Sequence, residues 1–348
     1  MNNLLKDGLK IFSVVILMLV IGFACKKNRF KKDDFLTDIY SYKIEPEIKA
    51  SINTIADFNS VWYNFKTDNS PANFTLVQSS FIKMSKSIES ILCYNFGDVA
   101  GTYTFSRFYK TGIDTIAIKT LYNEHEVFNA NEISSYTNTQ KGEFAIAYLL
   151  FGETFQDSIN LEKYQNFVSA HIDYFGEAVA EMQNNWSIYE KNFTENKQDG
   201  VSDVYNILIN RIIHLTEELI AKRIEDPLEN GNPNSVIGVF TKTGMDKIKT
   251  QVQSLNDIYY GHGTTEFNSI YNNIRKKKKK LADEIGDKFT ELITKGTLMN
   301  SDLSSYITGD STELLAYKSL LIELLTLFKV DVQEELDIII TFGDTDGD

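Results

Sequence analysis

The sequence is poor in residues that interrupt helices and in residues that build metal centres. Four prolines in 348 residues argue against a turn-rich β architecture and leave room for long helices. There are two cysteines, Cys25 and Cys93, and four histidines, His125, His171, His214 and His262. No two of the histidines have the i,i+4 spacing of a helical zinc site, and no cysteine pair could complete one. The N-terminal apolar run, Ile11–Ala24, has 14 residues, short of the roughly 20 that span a bilayer as a helix. Basic residues are outnumbered, 35 Lys+Arg against 48 Asp+Glu, so the net charge is −13 and nucleic acid is excluded as the main partner. There is no glycine-rich phosphate loop and no nucleophile elbow. What remains is 43% hydrophobic and 24% charged, the composition of a folded globular chain.

The start of the chain reads as an address. Lys6 and Lys10 precede the apolar run, the pattern of a secretory signal peptide over residues 1–24. The run ends in Gly22-Phe23-Ala24-Cys25, which resembles a bacterial lipobox with a bulky Phe23. The expectation is cleavage before Cys25 and lipidation of that residue, which anchors the mature chain to a membrane; an uncleaved N-terminal anchor is the alternative. Residues 25–40 are polar and basic at first and are expected to form a tether. Nothing at Lys26 resembles an inner-membrane retention signal, so an outer-membrane lipoprotein facing the periplasm or the cell surface is expected. With Cys25 lipidated, Cys93 has no disulfide partner; its place in Ile88-x-x-Ile91-Leu92-Cys93 suits a small buried hydrophobe.

The body reads as all-α. Apolar residues repeat at helical spacing over about Glu45–Phe65, after the cap signal Ser70-Pro71, and over Leu161–Asn192, Val201–Arg223 and Leu314–Val332. The polar break Asn196–Gly200 divides the chain into two helical bundles, residues 41–195 and 200–348, with Asp226–Ser235 as a loop inside the second. Gly97–Thr139 is less regular and reads equally as strand, loop or short helix. Arg275–Lys280, six consecutive basic residues, reads as the solvated face of one long helix, with acidic partners or lipid headgroups as the alternative.

The isolated candidates for chemistry favour structural roles. His214-x-x-Glu217 is expected to be a surface pair, His125 is expected to be exposed between Glu124 and Glu126, and His171 falls on an apolar stripe as a satisfied core histidine. His262, between two glycines, could line a site. Asp344-x-Asp346-Gly347-Asp348 resembles the opening of a calcium loop, but the chain stops before the later ligands.

One segment carries a more specific signal. Gly142-Glu143-Phe144-Ala145-Ile146-Ala147-Tyr148-Leu149-Leu150-Phe151-Gly152 resembles the signature helix of the imelysin family, whose pattern is Gly-x-His-x-x-Glu followed by Tyr-Leu-Leu-Phe-Gly. The chain end, with Asp344, Asp346 and Asp348, is similar to the family's acidic terminus. The resemblance implies a bacterial envelope protein of two helical bundles, from a family first described as a peptidase and linked to iron uptake. It also implies two metal ligands on this helix, and here Phe144 stands for the histidine and Ala147 for the glutamate. Neither side chain has an electron pair to donate. The expectation is therefore an imelysin-like lipoprotein acting as a non-catalytic binding or accessory component. It has no cofactor beyond the lipid on Cys25, and it serves an unknown ligand or envelope protein. Glu143, Asp344, Asp346 and Asp348 are the candidate pocket residues. The rivals are an active metallopeptidase or iron-binding protein with relocated ligands, and a structural surface scaffold.

Overall fold

The structure, a computed structural model, describes residues 30–261 and 268–341. Among them the regular elements are all helical. The first half supplies α1 (Lys32–Ile39), α2 (Glu45–Thr67), α3 (Pro71–Ile91), α4 (Thr115–Glu124), α5 (Glu143–Phe151) and α6 (Glu162–Glu195). The second supplies α7 (Val204–Glu218), α8 (Gly244–Tyr260), α9 (Ile270–Lys277), α10 (Lys279–Leu298) and α11 (Thr312–Thr326).

Local chemistry explains the helix ends. Ser70 Oγ accepts from the Asn73 amide and Pro71 occupies the first turn of α3, where its missing N–H is not needed. Asp203 Oδ1 accepts from the amides of Tyr205 and Asn206 and starts α7. Asn196, at φ 42°, ends α6 in the left-handed conformation that asparagine tolerates. α2 packs along α3 through Phe58 and Phe81 and on α6 through Trp62, whose indole N–H is satisfied by Ser169 Oγ at 2.9 Å. In the second half Tyr259, Phe289 and Phe328 form the aromatic centre where α8 and α10 meet the turns after α11. α8 also lies against α3, so the two halves touch helix to helix.

The last described residues are held by side chains rather than by a strand. Asn206, Asn210 and His214 lie one turn apart along α7. Asn206 Nδ2 and Asn210 Nδ2 donate to Ile339 O, while the amides of Ile339 and Thr341 donate back to Asn206 Oδ1 and Asn210 Oδ1. His214 Nε2 completes the ladder on Thr341 O at 2.7 Å.

Several expectations are corrected. The tether stops short of residue 40, because Phe35, Leu36 and Ile39 form an apolar stripe that buries α1 against α6 and the Tyr205 ring. Of the three readings open for Gly97–Thr139 the structure takes the short helix: Gly97–Gly101, Thr104–Phe108, α4 and Ala130–Ser135. The basic run does not lie in one helix. Like charges three and four apart repel, and the backbone leaves the helix at Lys278 (φ −143°, ψ 80°), although all six side chains are solvated as expected. Asp226–Asn230 is helical, with Pro227 in its first turn and Gly231 (φ 59°) as its stop.

Cys93 is buried, its thiol pushed up by burial, in the expected role of a small hydrophobe. His171 is in the core but is not satisfied. Neither ring nitrogen has a partner among the described residues, and the ring stands edge-on to Phe167 at 4.7 Å. Burial lowers its pKa to about 3. A depressed value means that the unfolded chain takes up a proton there first. Stability is therefore fully present above the unfolded value and is lost as pH falls toward the folded one. His171→Leu should flatten the acid side of the stability curve by up to one bound proton. Urea unfolding between about pH 7 and pH 4 measures this slope, and an unchanged slope would contradict it.

Candidate functional site

The glycine that starts α5 fixes where that helix sits. Gly142 has φ +81°, and a Cβ there would come within 2.5 Å of the Phe108 carbonyl oxygen, so only glycine fits. At the other end a Cβ on Gly152 would meet the Tyr148 carbonyl oxygen at 2.5 Å. Between these two stops Glu143–Leu150 are all buried, as a helix apolar around its circumference must be. Phe144 is 7% exposed and Ala147 5%.

Next to this helix lies the most heavily charged buried cluster among the described residues. The Lys247 ammonium, on α8, donates to Glu89 Oε1 (2.6 Å) and Ser85 Oγ (2.6 Å) on α3 and to Glu143 Oε1 (2.8 Å) on α5. Its three hydrogens are thereby used. Ser85 Oγ donates to Glu143 Oε1 at 2.6 Å, Tyr109 OH donates to Glu89, and Gln251 Nε2 donates to Glu89 Oε2. Phe144 packs edge-on to Tyr109 at 5.0 Å, and the ammonium sits 5.3 Å from the Phe144 ring centre. Burial pushes Glu143 up, with Lys247 opposing it and Glu89 reinforcing it. Lys247 is held above its ordinary value: burial works against its charge, and the two carboxylates outweigh burial.

Beside the cluster a cleft of about 1500 Å³ opens between α5 and α7. Phe144, Tyr148 and Phe151 form one wall with Phe240, and Arg211, His214, Glu218 and Arg223 form another. The second wall depends on an irregularity. After Glu218 the helix widens into π turns over Leu219–Glu225. Residues five apart in an ordinary α-helix point about 140° away from each other. The wider turn brings them nearly into line, so Arg223 reaches back to ion-pair with Glu218. Arg223 also lies over the Tyr109 ring at 5.9 Å.

These positions revise the candidate residues. Phe144 faces the cleft, as do Tyr148 and Gly152, whereas Ala147 is buried and off its lining. Glu143 is also off the lining, its carboxylate turned into the ion pair with Lys247. His214 and Glu217 do not form a surface pair: His214 binds the Thr341 carbonyl, and the buried Glu217 pairs with Lys329. His125 is half-exposed and pairs with Glu132 at 2.6 Å. Cys25, His262, Asp344, Asp346 and Asp348 lie outside the described residues. Among the described residues no cluster of three His, Cys, Asp or Glu side chains is arranged to hold a metal ion. The nearest carboxylates, Glu89 and Glu143, already bind an ammonium, so the donor set does not fit a metal at the motif helix.

Comparison with known proteins follows the same outline. The family profile for imelysin matches residues 44–314. Two crystal structures share the fold. An imelysin-like protein from Psychrobacter arcticum has a TM-score of 0.74 at 13% identity, over 90% of this chain and 99% of that one. A protein from Parabacteroides distasonis, provisionally described as an iron-regulated protein A precursor, has a TM-score of 0.75 at 12% identity, over 89% and 97%. No curated protein matches the sequence.

The cluster generates a test. Lys247→Met leaves two buried carboxylates without their cation and should destabilise the chain by roughly 3–5 kcal/mol. Without the ammonium the Glu143 carboxyl rises further, so the deficit should be smaller at about pH 5 than at about pH 8. Chemical denaturation of both chains at the two pH values reads this, and a pH-independent deficit would contradict it.

Proposed function

Because the chain belongs to the imelysin family, we propose that it is an envelope lipoprotein that binds a ligand without cleaving it. The observation that supports this most directly is at α5, where Phe144 and Ala147 occupy the positions of the family's histidine and glutamate. The carboxylates that could compensate, Glu89 and Glu143, are tied to Lys247. A hydrolase of the family's suggested kind needs an ion to polarise its substrate or a bound water. This helix offers Phe144 as a wall, Gly142 and Gly152 as spacers, and as its one carboxylate Glu143, which is ion-paired with Lys247. The cleft beside it remains as a binding surface, and its ligand or envelope partner defines the accessory role.

The membrane attachment rests on the N-terminal address, Gly22-Phe23-Ala24-Cys25, with the lipid on Cys25 as the anchor. Among the described residues no helix is long and apolar enough to cross a membrane. The outer membrane is the proposed location. The description of the Parabacteroides protein as iron-regulated supports iron uptake as a context for this chain, without iron held at α5.

Two measurements test the reading. Calorimetric titration of the purified full chain with iron(II) or zinc should show no tight stoichiometric binding, and peptide hydrolysis should be absent with or without chelator. A firmly held ion at α5 would instead support the rival with relocated ligands. Cys25→Ser should move the chain from the membrane fraction to the soluble envelope fraction, and unchanged fractionation would remove the lipid anchor from the proposal.

A further inference from the structure

The cleft beside α5 has the opposite charge from the chain that surrounds it. The protein carries 48 acidic residues against 35 basic ones, yet the cleft walls carry Lys110, Arg211, Lys222, Arg223 and Lys242 against Glu153, Glu218 and Asp226. Two of those acids are already engaged, Glu218 with Arg223 and Asp226 with Lys222 at 3.6 Å.

The two arginines are the deepest of the cations. A guanidinium has five N–H donors in a planar fork. Arg211 uses one described hydrogen bond, from Nη2 to Leu92 O at 2.6 Å, and Arg223 uses one, to Glu218. The Nε–H of each is buried and has no partner among the described residues. Arg223 is only 6% exposed. Buried donors left unpaired are costly, and such a fork matches an oxyanion bidentately. Burial lowers Arg211, Glu218 opposes that shift and Arg223 adds to it, so a bound anion would relieve a penalty at Arg211, while Arg223 is already held up by Glu218. The facing wall is apolar and aromatic, with Phe144, Phe151 and the Tyr148–Phe240 pair, whose rings are 5.3 Å apart.

We infer that the cleft is a binding site for a small organic carboxylate, with the carboxylate on the Arg211 and Arg223 forks and the apolar body against Phe144, Tyr148 and Phe240. The inference rests on the reading of the cleft as a ligand site and names the class of ligand. It also assigns Phe144 a purpose: where a histidine would bind an ion, a phenyl ring supplies a wall for the apolar end of a charged molecule. An inorganic anion would use only half of this surface.

Calorimetry on the full chain tests this, with hydrocinnamate as the probe, hydrocinnamyl alcohol as its neutral counterpart and inorganic phosphate as the anion without a body. Hydrocinnamate should bind saturably, and the alcohol and phosphate each roughly tenfold or more weaker. Arg211→Gln should weaken hydrocinnamate by about tenfold or more while leaving the alcohol unchanged. Phe240→Ala should weaken hydrocinnamate and leave phosphate unchanged, so the two substitutions separate the two ends of the ligand. Far-ultraviolet circular dichroism confirms that each variant is folded. Thr341 lies on the cleft wall and the sequence continues into Asp344, Asp346 and Asp348, so the chain with all three changed to Asn is titrated in parallel. Equal binding of the alcohol and the carboxylate would overturn the inference, as would phosphate binding better than hydrocinnamate. So would the absence of hydrocinnamate binding at millimolar concentration in both chains. None of these outcomes bears on whether α5 holds a metal, which the ion titration decides separately.

Discussion

One buried ammonium ties the site together. Lys247 belongs to the second half of the chain, and its partners Ser85, Glu89 and Glu143 belong to the first. Apolar helix faces tolerate many rotations about one another, whereas a cation with three hydrogen-bonded oxygens tolerates few. The contact between α3 and α8 therefore has a defined register, and Glu143 ties the start of α5 to it. The same contact also decides the chemistry, because the two carboxylates nearest the motif helix balance a charge that belongs to the chain itself and are not free for an ion from outside. Glu143 Oε2 has no partner in the described structure, which agrees with the upward shift of that carboxyl.

The long helices were legible in the sequence because their apolar residues repeat with the helical period, and Ser70-Pro71 marked a start that the structure keeps. The break at Lys278 was not legible, because the apolar stripe continues across it while the backbone departs. α1 was missed because three apolar residues, Phe35, Leu36 and Ile39, sit among charged ones and are too few to stand out. The ion-paired cluster left a faint trace. Lys247, Gln251 and Ser254 form a polar line along a helix whose neighbours Met245, Ile248, Val252 and Leu255 are apolar, and all of these residues are buried. A lysine and a glutamine on an inward line are a sign of a partner across the interface, but sequence spacing within one helix cannot identify a partner on another.

The motif helix shows that position and chemistry are specified by different residues. Gly142 answers to the backbone of Phe108, and Gly152 to the carbonyl oxygen and ring of Tyr148, and neither contact involves Phe144 or Ala147. The residues that would bind an ion are under no such constraint, and here they are aromatic and small. The fold is preserved while the site changes character, which is why resemblance to a family settles architecture before it settles activity.

The wide turn after Glu218 gives this chain a tolerance that its sequence does not advertise. A helix with π turns holds one surplus residue relative to a regular spiral. Deleting any one residue within Leu219–Lys222 would let the spiral close up and leave Arg223 four places after Glu218, about 40° from line with it. Arg223 would stay on the cleft side, and Pro227 and the rest of the second half would keep nearly their place. A shortening that looks ruinous in an alignment of helices would therefore spare the site.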